Sequence, residues 1–250
     1  MRKLENKVAL VTGSSRGIGR AIALRYAALG AKIVVNYTSS GEAAKKVVEE
    51  IMNLGSQAIA VKADVSSIID IKHLFQAAKQ EFGKIDIVVV NAGIEIVDLP
   101  ALEVTEEQFD RAFAINTKGA FFTLQEAAKI VEDKGRIIYV SSSTTLSPMK
   151  GKALYGGSKM APEYMANVVA KEVGARGITV NTIVPTVVEG AGVNTDMSAR
   201  REYMRAFADA NPLGRLANLE DVANIAEFLA GDLSSYLTAT ALKVTGGAVQ

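Results

Sequence analysis

Short runs of β-branched and aliphatic residues recur along the chain, separated by longer stretches with helical periodicity. The apolar runs fall at 8–11, 33–35, 58–61, 87–90, 137–140, 178–184 and 242–244. Most lack the polar alternation of a half-exposed strand. They predict strands covered on both faces, as in a parallel sheet between helix layers. The intervening stretches at 20–29, 42–54 and 68–82 read as helices, and each is followed by a glycine, Gly30, Gly55 or Gly83. Glycine at that place suits the left-handed stop of a helix. Within 42–54, Val47, Val48, Ile51 and Leu54 make one apolar face. Stretches 105–131, 154–173 and 219–229 supply the remaining helices. Pro162 lies inside 154–173. It lacks an N–H and its ring crowds the Ser158 carbonyl, so a bend is expected there, or a helix confined to its first turns.

Strand and helix alternate from end to end. That order predicts a doubly wound α/β fold of Rossmann type, with about seven parallel strands, right-handed crossovers and helices on both faces. With no Pro- or Ser-rich linker and no internal repeat, residues 1–250 read as one domain. The irregular stretch is 185–212. It carries Gly190, Gly192, Asn194 and Asp196, then a polar helix-like run at 198–209, and residues 186–212 are expected to form a substrate loop or lid.

Composition narrows the chemistry. The chain has 28 Lys+Arg, 27 Asp+Glu and a formal net charge of +1, so it has no general field for nucleic acid or an acidic membrane. It has no Cys and one His. That excludes a disulfide scaffold, a thiolate metal site, a Cys nucleophile and a His-rich metal centre, and makes a Ser-His-Asp triad improbable. No metal is expected. His73 falls on the third helix and reads as a surface or satisfied residue. No apolar stretch reaches the ~18 residues of a membrane span. The charged start and short first apolar run do not fit a signal peptide, whose apolar region needs ~7–15 residues. A cytoplasmic location follows as an expectation.

The first strand runs into Gly13-Ser14-Ser15-Arg16-Gly17-Ile18-Gly19 and then a helix. Glycines let the backbone approach a pyrophosphate, and the helix start offers N–H groups to it. The alternative for such a loop alone is a tight strand–helix turn. Four further features follow in order: Asn91-Ala92-Gly93 at the end of strand four, Asn116 within a helix, Ser142 after strand five, and Tyr155 with Lys159. Ser142 lies 13 residues before Tyr155. With these features the chain resembles the short-chain dehydrogenase/reductase family, and within it the NADPH-dependent carbonyl reductases and the 3-oxoacyl-carrier-protein reductases.

Strand two bears on the cofactor. An acidic residue at its end would bind the adenosine ribose 2′-OH and favour NAD(H). Here the strand ends in Asn36-Tyr37-Thr38-Ser39-Ser40, and no carboxylate comes before Glu42. Tyr37 stands where NAD-specific relatives carry Asp. Arg16 can pair with a 2′-phosphate, with Thr38, Ser39 and Ser40 assisting. The other reading is a solvated Arg16 and hydroxyls that cap the next helix. NADP(H) is the expected cofactor, with NAD(H) as the second choice. The resemblance assigns Asp64 and Val65 to the adenine ring; Asp64 could instead cap the next helix. It implies that Pro185 and Val188 lie along the nicotinamide.

A tyrosine hydroxyl has an ordinary pKa near ~10, and a nearby ammonium lowers it. Tyr155 and Lys159 are spaced i, i+4, on one helix face. Ser142 can hydrogen-bond a substrate carbonyl oxygen and steady developing charge. The resemblance implies that Lys159 also binds the nicotinamide ribose and that Asn116 holds a relay water. It also implies a homotetramer packed through 105–131 and 154–173. The expected reaction is reversible reduction of a small ketone to an alcohol, in an apolar pocket near Ile94, Ile96, Leu146, Met149, Val187, Val188 and Tyr203. Each of these could equally be core. Three departures from the family pattern stand out. Val90 replaces the first Asn of an Asn-Asn-Ala-Gly turn, Thr186 replaces Gly after Pro185, and the following loop is long. The alternatives are a 3-oxoacyl-carrier-protein reductase, which would need a basic patch near Lys118, Lys129, Lys134 and Arg136, and a non-catalytic dinucleotide binder.

Overall fold

The computed structural model describes residues 3–192 and 201–248. The part of the expected lid at 193–200 lies outside the described residues. Seven strands form one sheet: β1 (Val8–Val11), β2 (Lys32–Tyr37), β3 (Ala58–Lys62), β4 (Ile87–Val90), β5 (Arg136–Val140), β6 (Thr179–Pro185) and β7 (Ala241–Val244). Their order is β3-β2-β1-β4-β5-β6-β7, and every pairing is parallel. The chain leaves β1 toward one edge and returns to β4 on its other side. A crevice therefore opens beyond the carboxyl ends of β1 and β4, where doubly wound sheets hold ligands.

The helices are α1 (Gly17–Ala28), α2 (Gly41–Asn53), α3 (Ile68–Phe82), α4 (Glu106–Ala112), α5 (Ala120–Ile130), α6 (Ala153–Val173), α7 (Arg201–Ala210) and α8 (Leu219–Ala230). β1, β4, β5 and β6 are buried along their whole lengths. Alternate residues feed two separate cores. Ala9 and Val11 point to α1, α2 and α8, whereas Leu10 points to α3, α5 and α6. This two-sided burial explains why the strands read as unbroken apolar runs. Among the described residues, three α-helix starts are capped by side chains: Ser67 for α3, Thr105 with Gln108 for α4, and Asn218 with Asp221 for α8. None of the described helices is long and apolar enough to cross a membrane.

Two expectations need correction. The single helix read at 105–131 is interrupted by a π-helical turn, Phe113–Gly119, between α4 and α5. Such turns carry an extra residue and cluster at functional sites. The turn buries Asn116 and points Thr117 at α6. The second correction concerns Pro162: of the bend or confinement expected there, confinement does not occur, because α6 runs through it in a helix of 21 residues. The Ser158 carbonyl, deprived of the N–H of residue 162, accepts the Thr117 hydroxyl instead at 2.8 Å. The π turn therefore supplies the donor that the proline removes.

Thr117→Val should leave the Ser158 carbonyl without this partner and cost about 1–3 kcal/mol. Pro162→Ala restores a backbone N–H, so the double variant should recover part of the loss. Urea unfolding of the four species measures the coupling. Purely additive effects would refute the compensation.

Candidate active site

The glycine loop is stitched to its neighbours before any ligand is considered. Thr12 Oγ1 accepts the N–H groups of Asn91 and Ala92 at 2.9 and 3.0 Å. The Asn91 side chain donates to the carbonyls of Thr12 and Gly13 at 2.9 and 3.2 Å. Val90 in place of an Asn thus leaves this turn intact. Asn36, to which the sequence reading gave no role, accepts the Gly13 N–H at 2.9 Å and donates to the Ala63 carbonyl at 3.0 Å. Gly13 has φ +63°, and a Cβ there would stand 2.9 Å from the Ala92 Cα. At Gly19 a Cβ would meet the Asn91 amide nitrogen and the Gly13 carbonyl at 2.6 Å. Side chains are excluded at both positions by contact. α1 has no capping side chain and no acid in its first turn. Its first N–H groups and positive end therefore face the crevice, an arrangement suited to an anion.

A single cavity of about 1230 Å³ runs from this loop along the carboxyl ends of the strands. It is lined by Gly13, Ser15, Arg16, Gly17, Ile18, Tyr37, Thr38, Ser39, Asp64, Val65, Asn91, Ala92 and Gly93, then by Ser142, Tyr155, Lys159, Pro185 and Val188. Gly19 and Asn116 stand behind the wall. Asp64 Oδ1 accepts from the Ser66 N–H and hydroxyl at 2.9 and 2.8 Å, while Ser67 is the N-cap of α3. Thr186 is not among the residues with positive φ, and its N–H donates to the Val244 carbonyl at 3.2 Å. The backbone there does not require glycine. Val188 pairs with Ala217 as a parallel bridge, and the Glu189 N–H donates to the Ala217 carbonyl at 2.9 Å, so the first part of the expected lid is anchored.

At the far end, Ser142 extends from β5 and accepts from the N–H and hydroxyl of Thr144 at 3.3 and 3.1 Å. Lys159 Nζ donates to the Val140 carbonyl at 3.0 Å. Asn116 accepts the Ile94 N–H at 2.8 Å and donates to the Ile94 carbonyl and the Ser158 hydroxyl, each at 2.9 Å. A Cβ on Gly93 would lie 3.0 Å from Lys159 Nζ and 3.1 Å from Asn116 Oδ1, so glycine keeps the path between them open. Glu163 on α6 accepts the hydroxyls of Ser141 and Thr145 at 2.8 and 3.0 Å, holding the Ser142 loop from both sides.

The electrostatics differ from the expectation of a phenol lowered by its lysine. Burial pushes Tyr155 well above the ordinary tyrosine value, the Glu95 charge adds to this, and a hydrogen bond from Ser142 opposes it. Burial also pulls Lys159 down to about 8, against the attraction of Glu95. The lysine is turned to a backbone carbonyl and its own charge is disfavoured, so it does not depress the phenol here. The pocket is also less apolar than expected. Ile94, Ile96, Met149, Val187, Val188 and Tyr203 line it and Leu146 does not, while Glu95, Arg111 and Lys152 bring charge into it. Glu95 escaped the sequence reading because an acid after a turn is ordinarily solvated. His73 is exposed on α3.

Lys159→Met should raise stability at neutral pH. A lysine held at about 8 when folded, against ~10.4 when unfolded, penalises the folded state below pH 8. That penalty fades as pH rises from 8 toward ~10.4. The gain should be about 3 kcal/mol at pH 7 and should fall below about 1 kcal/mol near pH 10. Denaturant unfolding at both pH values measures it, and an equal effect at the two would refute the assignment.

Comparison with known proteins bears on the family and the fold. A family model described as Enoyl-(Acyl carrier protein) reductase matches residues 13–249. The hydroxynaphthalene reductase-like protein Arp2 of Metarhizium brunneum is 41% identical over 264 residues, covering 99% of this chain and 97% of that protein. The short chain dehydrogenase claC of Passalora fulva is 40% identical over 264 residues, covering 98% of this chain and 96% of that one. The solved structure of the angucycline C-6 ketoreductase LanV with bound NADP superposes with a TM-score of 0.91 at 35% identity, covering 98% of this chain and 96% of that one. The glycine loop, the seven-stranded sheet and near full-length similarity lead to one conclusion: this chain belongs to the short-chain dehydrogenase/reductase family and is an oxidoreductase.

Proposed function

We propose that the protein reduces a ketone to a secondary alcohol, reversibly, with NADPH as reductant. The observation that carries this reading is one cavity that joins an uncapped helix start at one end to Ser142, Tyr155 and Lys159 at the other. Bound NADPH supplies the hydride. The residues present fit it: the glycine loop excludes side chains, and the start of α1 offers N–H groups to the pyrophosphate. Arg16, Tyr37, Thr38 and Ser39 line the end where a 2′-phosphate would sit, and the nearby Asp64 is engaged with Ser66. NADP bound to the ketoreductase LanV supports the same choice; NAD(H) is the weaker alternative. Asp64 and Val65 flank the adenine, and Pro185 and Val188 flank the nicotinamide.

In this reading Ser142 hydrogen-bonds the carbonyl oxygen and Tyr155 delivers the proton to it. A phenol with a raised pKa is a reluctant base, so alkaline pH favours the reverse reaction. Lys159 holds the ribose, and Asn116 steadies a relay water behind it. The protein is one domain, and residues 186–212 close over the substrate. The alternative of docking to a carrier protein has less support. Arg136 is buried and donates to the Lys134 and Gly135 carbonyls, and Lys129 pairs with Glu126 at 3.6 Å. A homotetramer is supported by Met160, Tyr164 and Val168, apolar and exposed at i, i+4, i+8 along α6.

Tyr155→Phe should lower NADPH oxidation with ketones at least a hundredfold while cofactor binding, read by NADPH fluorescence, stays within a few fold. Equal loss of both would refute the proton-donor role. Arg16→Ala should raise KM for NADPH about tenfold and leave NADH little changed; initial rates with both cofactors decide. Met160→Asp with Tyr164→Asp should dissociate the assembly, measured by light scattering on a sizing column, and an unchanged mass would remove this face from the interface.

A further inference from the structure

Lys159 is a buried cation in the cavity wall, and one of its neighbours has no part in the proposed chemistry. That neighbour is Tyr139, on β5. It is 1% exposed and belongs to the core between the sheet and α3, α5 and α6. Ile137, two positions earlier, fills the same core with an aliphatic side chain. At 139 an aromatic ring stands instead, and Lys159 Nζ lies over it, 5.5 Å from the ring centre. The Tyr139 hydroxyl donates to the Lys159 carbonyl at 3.2 Å, which ties the ring to the turn of α6 that carries the lysine. Lys159 Nζ is fixed in turn by the Val140 carbonyl at 3.0 Å.

The face of an aromatic ring carries partial negative charge and attracts a cation within about 6 Å, most strongly where water is excluded. Burial works against the ammonium here, and the ring works for it. Other groups also face the lysine. From the loop after β4, the Glu95 charge attracts it. Tyr155 stands one turn away on α6, and the uncharged Asn116 lies across Gly93 from it. Burial holds both phenols well above the ordinary tyrosine value. Glu95 adds to this at Tyr155, and the Tyr155 and Glu163 charges add to it at Tyr139, against hydrogen bonds with Ser142 and Ser141. Neither phenol therefore titrates in the range where the lysine does. We propose that Tyr139 is a positioning residue for Lys159: its ring keeps the ammonium charged at the cavity wall, and so fixes how far into alkaline pH the protein can hold the ribose of NADPH.

The second half of this inference rests on the proposed use of NADPH, and the test separates the two. Protein with isotope-labelled lysine side chains would be titrated by NMR, with Lys159→Met identifying the Lys159 signal. The unmodified protein should titrate at about 8. Tyr139→Phe keeps the ring and loses only the hydroxyl, so its midpoint should stay within about 0.3 pH unit. Tyr139→Leu removes the ring. Tyr139→trifluorophenylalanine keeps its shape, and so keeps water out, but drains electron density from its face. In both, the midpoint should fall by about one pH unit, a tenfold loss of proton affinity. If the leucine variant does not fold, the fluorinated ring decides. NADPH affinity, read by fluorescence across the same pH range, should begin to weaken at correspondingly lower pH in these variants. Midpoints equal in all the folded proteins to within about 0.3 pH unit would overturn the role of Tyr139 and leave the NADPH reading standing. Midpoints that fall while the pH dependence of NADPH binding stays fixed would overturn Lys159 as the group that holds the ribose, and leave only the hold of the ring on the lysine.

Discussion

One side-chain amide holds the active end together. Asn116 grips both backbone polar groups of Ile94 and the hydroxyl of Ser158, joining the loop after β4 to α6. A regular α-helix from 105 to 131 would bring one residue fewer through this turn. The π turn makes room for Asn116 to face inward while Thr117 reaches the Ser158 carbonyl. The two bonds are coupled through α6: Thr117 satisfies the backbone that Pro162 disrupts, and Asn116 locates the turn carrying Tyr155 and Lys159. With the Thr12–Asn91 bonds, this clamp holds Gly93 against the lysine.

The same clamp sustains a costly charge arrangement. Lys159 is 4% exposed, bonds to a backbone carbonyl, and lies 5.5 Å from the centre of the Tyr139 ring. Burial lowers its affinity for a proton, and the Glu95 charge partly restores it. Burial and Glu95 act together to keep Tyr155 protonated. A protonated phenol is what the proposed proton transfer needs. A fold selected for stability alone would place an apolar side chain at 159.

The two ends of the cavity differ in character. At the glycine loop, the uncapped start of α1 and Arg16 favour negative charge. At the other end, Glu95, Arg111 and Lys152 bring charges of both signs to the wall. In the proposed reaction the first end takes the phosphate-bearing reductant and the second takes the ketone.

Much of this was legible in the sequence, for a physical reason. Two-sided burial writes each strand as a contiguous apolar run, and helix stops require glycine, so the sheet and its crossovers could be read from local pattern. The glycine loop and the i, i+4 pair of Tyr155 and Lys159 were equally local. What tertiary structure alone decided depends on groups far apart in the chain. Pro162 is accommodated because a hydroxyl 45 positions earlier, on Thr117, replaces the missing donor. The phenol is raised rather than lowered because burial desolvates it and a carboxylate from another loop approaches it, while its lysine turns to Val140. Sequence spacing determines which side chains share a helix face; burial, and which distant partner reaches a group first, determine its charge.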